Sequence, residues 1–469
     1  MKLVFQPHEK PKFGANIVFA IQQLLAIMAA TLVVPIIIGN GMSPAAALFG
    51  AGIGTFVSLL FTKFRSPVFL GSSFAFLGSM AAAFAGGVSM SLGYVGLILG
   101  AVFAGLVYVI IAIIVKIAGV NWINKLMPPV VIGPTVAIIG LSLAGNAIGD
   151  LQSGGLKKEV ITKGLNEAGE IIDVVSQVSV ANILICVLVG LVTLLVTVLC
   201  STYGKKMAKM IPFIIGILAG YAVGSIFTVI GNLAGIDALK VIDYSALTNL
   251  VADGVNLNTF VQLPDFTFVT AFGAIGEINA TYIATIAVAY IPVAFVVFAE
   301  HIADHKNISS IIEKDLLEDP GLHRTLLGDG VGSIAGAFFG GCPNTTYGES
   351  VACVAISGNA SVFTIATTSV LAILISFLSP FVAFVNSIPS CVMGGVCIAL
   401  YGFIAVSGLK MVQKVDLEQN KNLFVVSTIL IAGIGGLTLT FGQVTLTSIA
   451  CALILGIIVN LILGKKADE

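Results

Sequence analysis

A helical protein that crosses a membrane many times is what this chain's composition specifies. Of its 469 residues, 58% are hydrophobic and 10% charged, against about 25% charged in a soluble domain. Apolar runs of about 20 residues, the length a helix needs to cross roughly 30 Å of hydrocarbon, recur from end to end. A transmembrane barrel would show short alternating segments instead. The formal net charge of −1 gives no sign of a nucleic-acid partner. Seven cysteines, at 186, 200, 342, 353, 391, 397 and 451, fall in apolar stretches at no metal-type spacing and read as small apolar residues. No clustered nucleophile–base pair, metal spacing or phosphate loop is evident, so no enzyme activity, cofactor or metal is expected.

Fourteen spans are predicted, at roughly 15–38, 44–62, 67–85, 93–118, 129–148, 177–200, 211–234, 281–304, 325–341, 343–359, 361–386, 389–409, 421–438 and 445–464. Lys2, Lys10 and Lys12 precede a first apolar stretch too long for a signal peptide, which reads as a span left in place. With the N-terminus inside, only Lys157, Lys158, Lys163 and Lys240 of the 22 Lys and Arg fall on outside segments. That asymmetry puts both termini on the cytoplasmic side of the plasma (inner) membrane. The outside segments 149–176 and 235–280 are expected as surface loops.

Pro128-Pro-Val-Val-Ile-Gly133 recurs as Pro389-Ser-Cys-Val-Met-Gly394, seven spans later. An odd offset makes the halves inverted, a 7+7 repeat, and pairs span 3 with span 10. Both are interrupted, by Pro67 and Gly71 in one and by Gly340, Gly341 and Pro343 in the other, so each is expected to carry a short extended segment. Paired broken spans point to a binding site at the membrane midplane.

Two carboxylates mark that site. Glu300 ends the run Ala289–Ala299, and Glu349 closes Asn344-Thr-Thr-Tyr-Gly-Glu349. An ionisable group at membrane depth costs about 2.5–3.5 kcal/mol on insertion scales, so it is presumed functional. A half-helix starting at midplane offers unpaired N–H groups and a positive dipole end, suited to a carbonyl oxygen. Glu300 and Glu349 accept hydrogen bonds when ionised; Ser73, Thr345 and Thr346 bring hydroxyls, and Phe74 and Tyr347 flat faces. A planar ring with alternating N–H and C=O groups, such as a pyrimidine or purine base, satisfies this set. An anion would be repelled; a metal cation held by carboxylates, Thr and backbone oxygens stays open.

Each residue has a duller alternative. Glu300 caps a cytoplasmic helix end near Lys306, and Glu349 sits in an aqueous vestibule. Asp304 lies one helical turn from Glu300 and reads either as a site member or as a membrane-edge charge beside Lys306. His301 and His305 read as packing residues, Asp329 as a helix-packing hydrogen-bond partner, and 314–324 as a solvated loop.

Gly71-Ser-Ser-Phe-Ala-Phe76, Ala299-Glu-His301, Lys314-Asp-Leu-Leu317, Asp319-Pro-Gly-Leu-His-Arg324, Pro343-Asn-Thr-Thr-Tyr-Gly-Glu349 and Val392-Met-Gly-Gly395 resemble the nucleobase–cation symporters (nucleobase–ascorbate transporters), and within them the uracil permease branch. The resemblance implies a core domain of 1–128 and 241–388, a gate domain of 129–240 and 389–469, proton-coupled uracil import and a homodimer. It also implies that Glu300 and Glu349 hydrogen-bond the base, that Gly348 and Phe74 add backbone N–H groups, and that Phe74 and Tyr347 pack around the ring. Proton coupling is expected at Glu300, Glu349 and Asp304. The chain departs from the family pattern at Gln22-Gln23, commonly Gln-His; at Asp304, commonly His in uracil permeases; at Ser350, usually Asn; and at Ile356-Ser-Gly358. The alternatives are a purine (xanthine, urate or hypoxanthine) symporter on the same fold and, further off, an anion permease or ion channel.

Overall fold

A computed structural model describes residues 3–119, 122, 127–165, 171–205, 207–252, 254–441 and 444–464. Lys2, Lys125, Lys206, Lys465 and Lys466, which enter the charge asymmetry, lie outside the described residues. Eight described helices are long and apolar enough to cross a membrane: Phe13–Ile38, Pro44–Phe61, Met90–Ala118, Pro129–Leu151, Ile183–Tyr203, Pro212–Ala234, Ala280–Ile312 and Ser390–Val412. Shorter apolar helices accompany them at Phe74–Ala83, Gly348–Ser357, Val362–Ile375, Asn420–Ile434 and Ser448–Gly464. The chain is thus a mostly helical, multi-pass membrane protein.

Two stretches differ from expectation. Residues 361–386 form two helices, Val362–Ile375 and Ser379–Ser387, with Pro380 in the first turn of the second, where a missing N–H is tolerated. The expected outside loop contains an antiparallel ladder, Lys157–Leu165 against Ile171–Ser179. Its β-branched stretches, Val160-Ile-Thr162 and Val174-Val175, suit a strand.

Contacts divide the chain into two compact units. One comprises Leu143–Val261 and Ser379–Leu400. In it, the helices Ile183–Tyr203 and Pro212–Ala234 pack together because Gly216 and Gly220 leave room for the Thr197 and Thr193 side chains.

The other unit comprises Met1–Ser142, Gln262–Leu378 and Tyr401–Glu469. Its site-bearing elements are α1 (Phe13–Ile38), α2 (Pro44–Phe61), β1 (Leu70–Ser72), α3 (Leu77–Ala83), α4 (Met90–Ala118), α5 (Ala280–Ile312), α6 (Leu322–Gly340), β2 (Asn344–Thr346), α7 (Gly348–Ser357) and α8 (Val362–Ile375). Within the same unit, the helix Pro129–Ser142 meets the later part of Ser390–Val412: a Cβ on Gly133 would lie 3.1 Å from the Gly408 carbonyl oxygen.

α2 and α6 approach at glycines, the way helices associate where lipid removes the hydrophobic drive. A Cβ on Gly54 would lie 2.6 Å from the Gly332 carbonyl oxygen and would clash with the Asn344 amide, which donates to Gly50 O at 3.2 Å. Gly54→Leu is therefore expected to destabilise the protein by about 1–3 kcal/mol or more through overpacking. Gly14→Leu, where a Cβ meets nothing within 4 Å, is the control. Thermal unfolding in detergent checks this; equal midpoints for Gly54→Leu and wild type would refute the close-packed helix pair.

The N-terminal segment is fastened to the far end of α7. Val4 N donates to Gly358 O at 2.7 Å, and Phe5 forms a parallel bridge with Asn359. Leu3 packs on the cluster of Val68, Ile308, Ile312, Leu316, Val351, Val354 and Ala360. In the 314–324 stretch, Asp319 pairs with Lys314 at 2.7 Å and with Arg65. These two cations hold its carboxyl below the usual carboxylate range.

A candidate binding site at a buried strand pair

β1 and β2 pair antiparallel, with Leu70 opposite Thr346, Gly71 opposite Thr345 and Ser72 opposite Asn344. Ser73 N donates to Pro343 O at 2.9 Å and Tyr347 N to Phe69 O at 3.2 Å, extending the pairing at both ends. Thr55 Oγ1 accepts from Leu70 N at 2.8 Å and donates to Leu70 O at 3.1 Å. Buried extended backbone is tolerated here because its polar groups find partners inside the protein. Gly71 is required here: a Cβ would clash with the Tyr347 ring. Tyr347 is buried, and its hydroxyl donates to Ser72 O at 2.8 Å. The ring is thus committed to bracing β1.

A helix starts at once after each strand. Phe74–Phe76 makes a tight turn that runs into α3, and Gly348 opens α7. No side chain caps either start. The first-turn amides therefore have no partner within their helices, and the positive dipole ends lie beside the strands. Because the strands are antiparallel, the two helices leave from opposite ends of the pair.

α5 packs against β2, α7 and the Phe74–Phe76 turn. Glu300 and Asp304, one turn apart, share a face of α5. The acidic neighbours of Glu300 are Asp304, Glu349 and Asp329. Asp304 is buried, and its Oδ2 accepts from Thr346 Oγ1 at 2.9 Å. It therefore belongs with the strand pair, not with a solvated edge beside Lys306, because α5 continues to Ile312. Residues 341–347 are all buried, yet Gly348 is exposed and Glu349 and Glu300 are half-buried. An opening thus reaches the start of α7. The Ser73 hydroxyl is buried with no hydrogen-bond partner among the described residues, and Phe74 stands edge-on to Tyr401 with ring centroids 5.9 Å apart.

Behind this layer lies a second polar set. His301 Nδ1 contacts Asp329 Oδ2 at 2.7 Å and His301 Nε2 contacts Thr325 Oγ1 at 3.0 Å. His305 Nδ1 faces the His301 carbonyl at 3.0 Å, so it donates, and in the neutral ring Nε2 then accepts from Ser66 Oγ at 3.2 Å. Residues that composition did not bring to the site include Thr31, Thr55 and Tyr401. Gln23 and Ser350, noted in the sequence as separate departures, hydrogen-bond each other.

Residues 14–442 match the profile of the Permease family that takes its label from xanthine and uracil permeases. The chain belongs to this family of nucleobase–ascorbate transporters. The uracil permease of Bacillus caldolyticus is 36% identical over 473 residues, covering 99% of this chain and 96% of that protein. The uracil permease of Escherichia coli K12 is 34% identical over 456 residues, covering 97% and 92%. Among solved structures, the transmembrane domain of the cyanobacterial bicarbonate transporter BicA aligns with TM-score 0.60 at 13% identity, over 97% of this chain and 99% of that one. Murine Slc26a9, an anion transporter in the inward-facing state, aligns with TM-score 0.62 at 10% identity, over 98% and 69%. These likenesses show a shared transporter fold. In this permease the strand pair brings acceptors (Glu300, Glu349), amide donors at Gly348 and Phe74, a spare hydroxyl at Ser73 and the Phe74 ring into one region of one unit.

Proposed function

We propose that the protein is a proton-coupled symporter that imports uracil by alternating access. The observation that carries this is the pair of half-buried carboxylates, Glu300 and Glu349, at the open, uncapped start of α7. In this account the two carboxylates accept the ring N–H groups, and the Gly348 and Phe74 amides donate to ring carbonyls. Ser73 adds a hydroxyl, Phe74 walls the ring, and Tyr347 backs the strand pair. Carboxyl groups close together in low dielectric cannot all hold charge. A proton taken up among Glu300, Glu349 and Asp304 lets the loaded site move without excess charge. The similarity to uracil permeases supports the substrate.

The same account keeps fourteen spans in a 7+7 inverted repeat in the inner membrane, with both termini cytoplasmic. A core of 1–128 and 241–388 works against a gate of 129–240 and 389–469, in a homodimer. The acidic site disfavours anions, despite the fold shared with bicarbonate and Slc26 transporters.

A purine symporter is the second reading, and Asp304 is the observation that favours it. Its Oδ1 lies 3.8 Å from where a Cβ on Gly348 would stand, so a further acceptor borders the site. Competition against labelled uracil in proteoliposomes decides. Uracil is expected to displace the label at lower concentration than xanthine or hypoxanthine. The margin is modest, since a pocket discriminates size by roughly 1–3 kcal/mol per methylene-sized change. A purine that displaces better, or absent uracil uptake, replaces uracil with the purine reading.

A further inference from the structure

We propose that Gln23 and Ser350 act together as positioning residues that aim Glu349 at the base. This role rests on the binding assigned to Glu349. Ser350 follows Glu349 in the first turn of α7 and is 0% exposed. Its Oγ accepts from Gln23 Nε2 of α1 at 2.5 Å and from Phe69 N at 3.0 Å. The Phe69 carbonyl in turn accepts from Tyr347 N. The residue before β1 thus holds α7 at Tyr347 and at Ser350, one on each side of Glu349.

Helical periodicity gives that grip a direction. Residues three apart share a face, so fixing Tyr347 and Ser350 against Phe69 and α1 turns Gly348 and Glu349 the other way. Exposure follows this pattern: Tyr347 and Ser350 are buried, Gly348 is exposed and Glu349 half-buried. α1 makes a second contact two turns on, where Thr31 Oγ1 reaches the Tyr347 hydroxyl at 3.5 Å. Gln23 is 4% exposed and its bonded partner is Ser350, so it acts on the site through that hydroxyl. A small hydroxyl at 350 suits a long amide at 23: the glutamine spans from α1, and the serine leaves its other lone pair for Phe69 N.

The test compares full-length wild type, Gln23→Met, Ser350→Ala and the double variant. Uracil affinity is measured by calorimetry, and KM and maximal rate by uptake into proteoliposomes. Each single variant is expected to weaken uracil binding and raise KM about tenfold, because Glu349 loses the contact that fixes its direction. Maximal rate should stay close to wild type in both, and thermal unfolding close to wild type in Gln23→Met. The double variant should be no weaker than the worse single, because both act through one connection. Ser350→Thr, which keeps the hydroxyl, should recover most of the loss. Gln23→Met removes the side-chain amide and leaves Ser350 Oγ its bond from Phe69 N, so it decides alone if Ser350→Ala misfolds. Wild-type affinity in the single variants, or losses that multiply in the double, overturns the positioning role alone. A wild-type protein that binds no base overturns the role given to Glu349, and this one with it.

Discussion

Glu349→Gln is expected to abolish measurable uracil binding, weakening it by at least about tenfold. Glu349 stands in the first turn of α7, beside an exposed Gly348 amide and with Glu300 as an acidic neighbour. A carboxylate there accepts two N–H bonds and offers no donor. The amide keeps the shape but turns an N–H₂ toward the ring's own N–H groups, replacing attraction by a donor–donor clash. Losing a charge-assisted bond alone costs about 1.5–3 kcal/mol. The substitution leaves the Gln23–Ser350–Phe69 contacts untouched, so folding should persist. Calorimetry on purified protein checks this; wild-type affinity in the Gln variant would remove Glu349 from the site.

Uptake is expected to follow an inward proton gradient and to ignore sodium. The described site holds four neighbouring acids, Glu300, Asp304, Glu349 and Asp329. A sodium cage needs several free oxygens at once. Two of these are engaged: Asp304 Oδ2 accepts from Thr346 and Asp329 Oδ2 contacts His301. With one proton carried per base, each pH unit supports up to about tenfold accumulation of uracil. Labelled uptake into proteoliposomes with an imposed pH step, with and without sodium, separates the two couplings. Uptake that requires sodium and does not respond to the pH step would contradict proton coupling.

Glu300 and Glu349 stood out in the sequence because charge is scarce in apolar stretches, and Pro67, Gly71 and Pro343 flagged the interrupted backbone around them. The strand pair itself joins residues more than 270 positions apart, so only its breaks were visible, not its register. Asp304 reads either way beside Lys306 because no local signal shows that α5 runs on to Ile312. The bond between Gln23 and Ser350 spans 327 residues, and no periodicity reports it. Tyr347 illustrates a different limit: its ring reads as a ligand surface, yet its hydroxyl and Gly71 turn it toward β1. The 157–179 ladder is hard to read from sequence because Gly, Asn and Asp in the flanking loop outweigh its β-branched runs.

The most direct measurement is an experimental structure of the full-length protein with uracil bound. Density for the ring is expected within hydrogen-bond reach of Glu300, Glu349 and the Gly348 amide, with Phe74 against its face. A ring bound elsewhere, or bound without contact to either carboxylate, would contradict the strand-pair site.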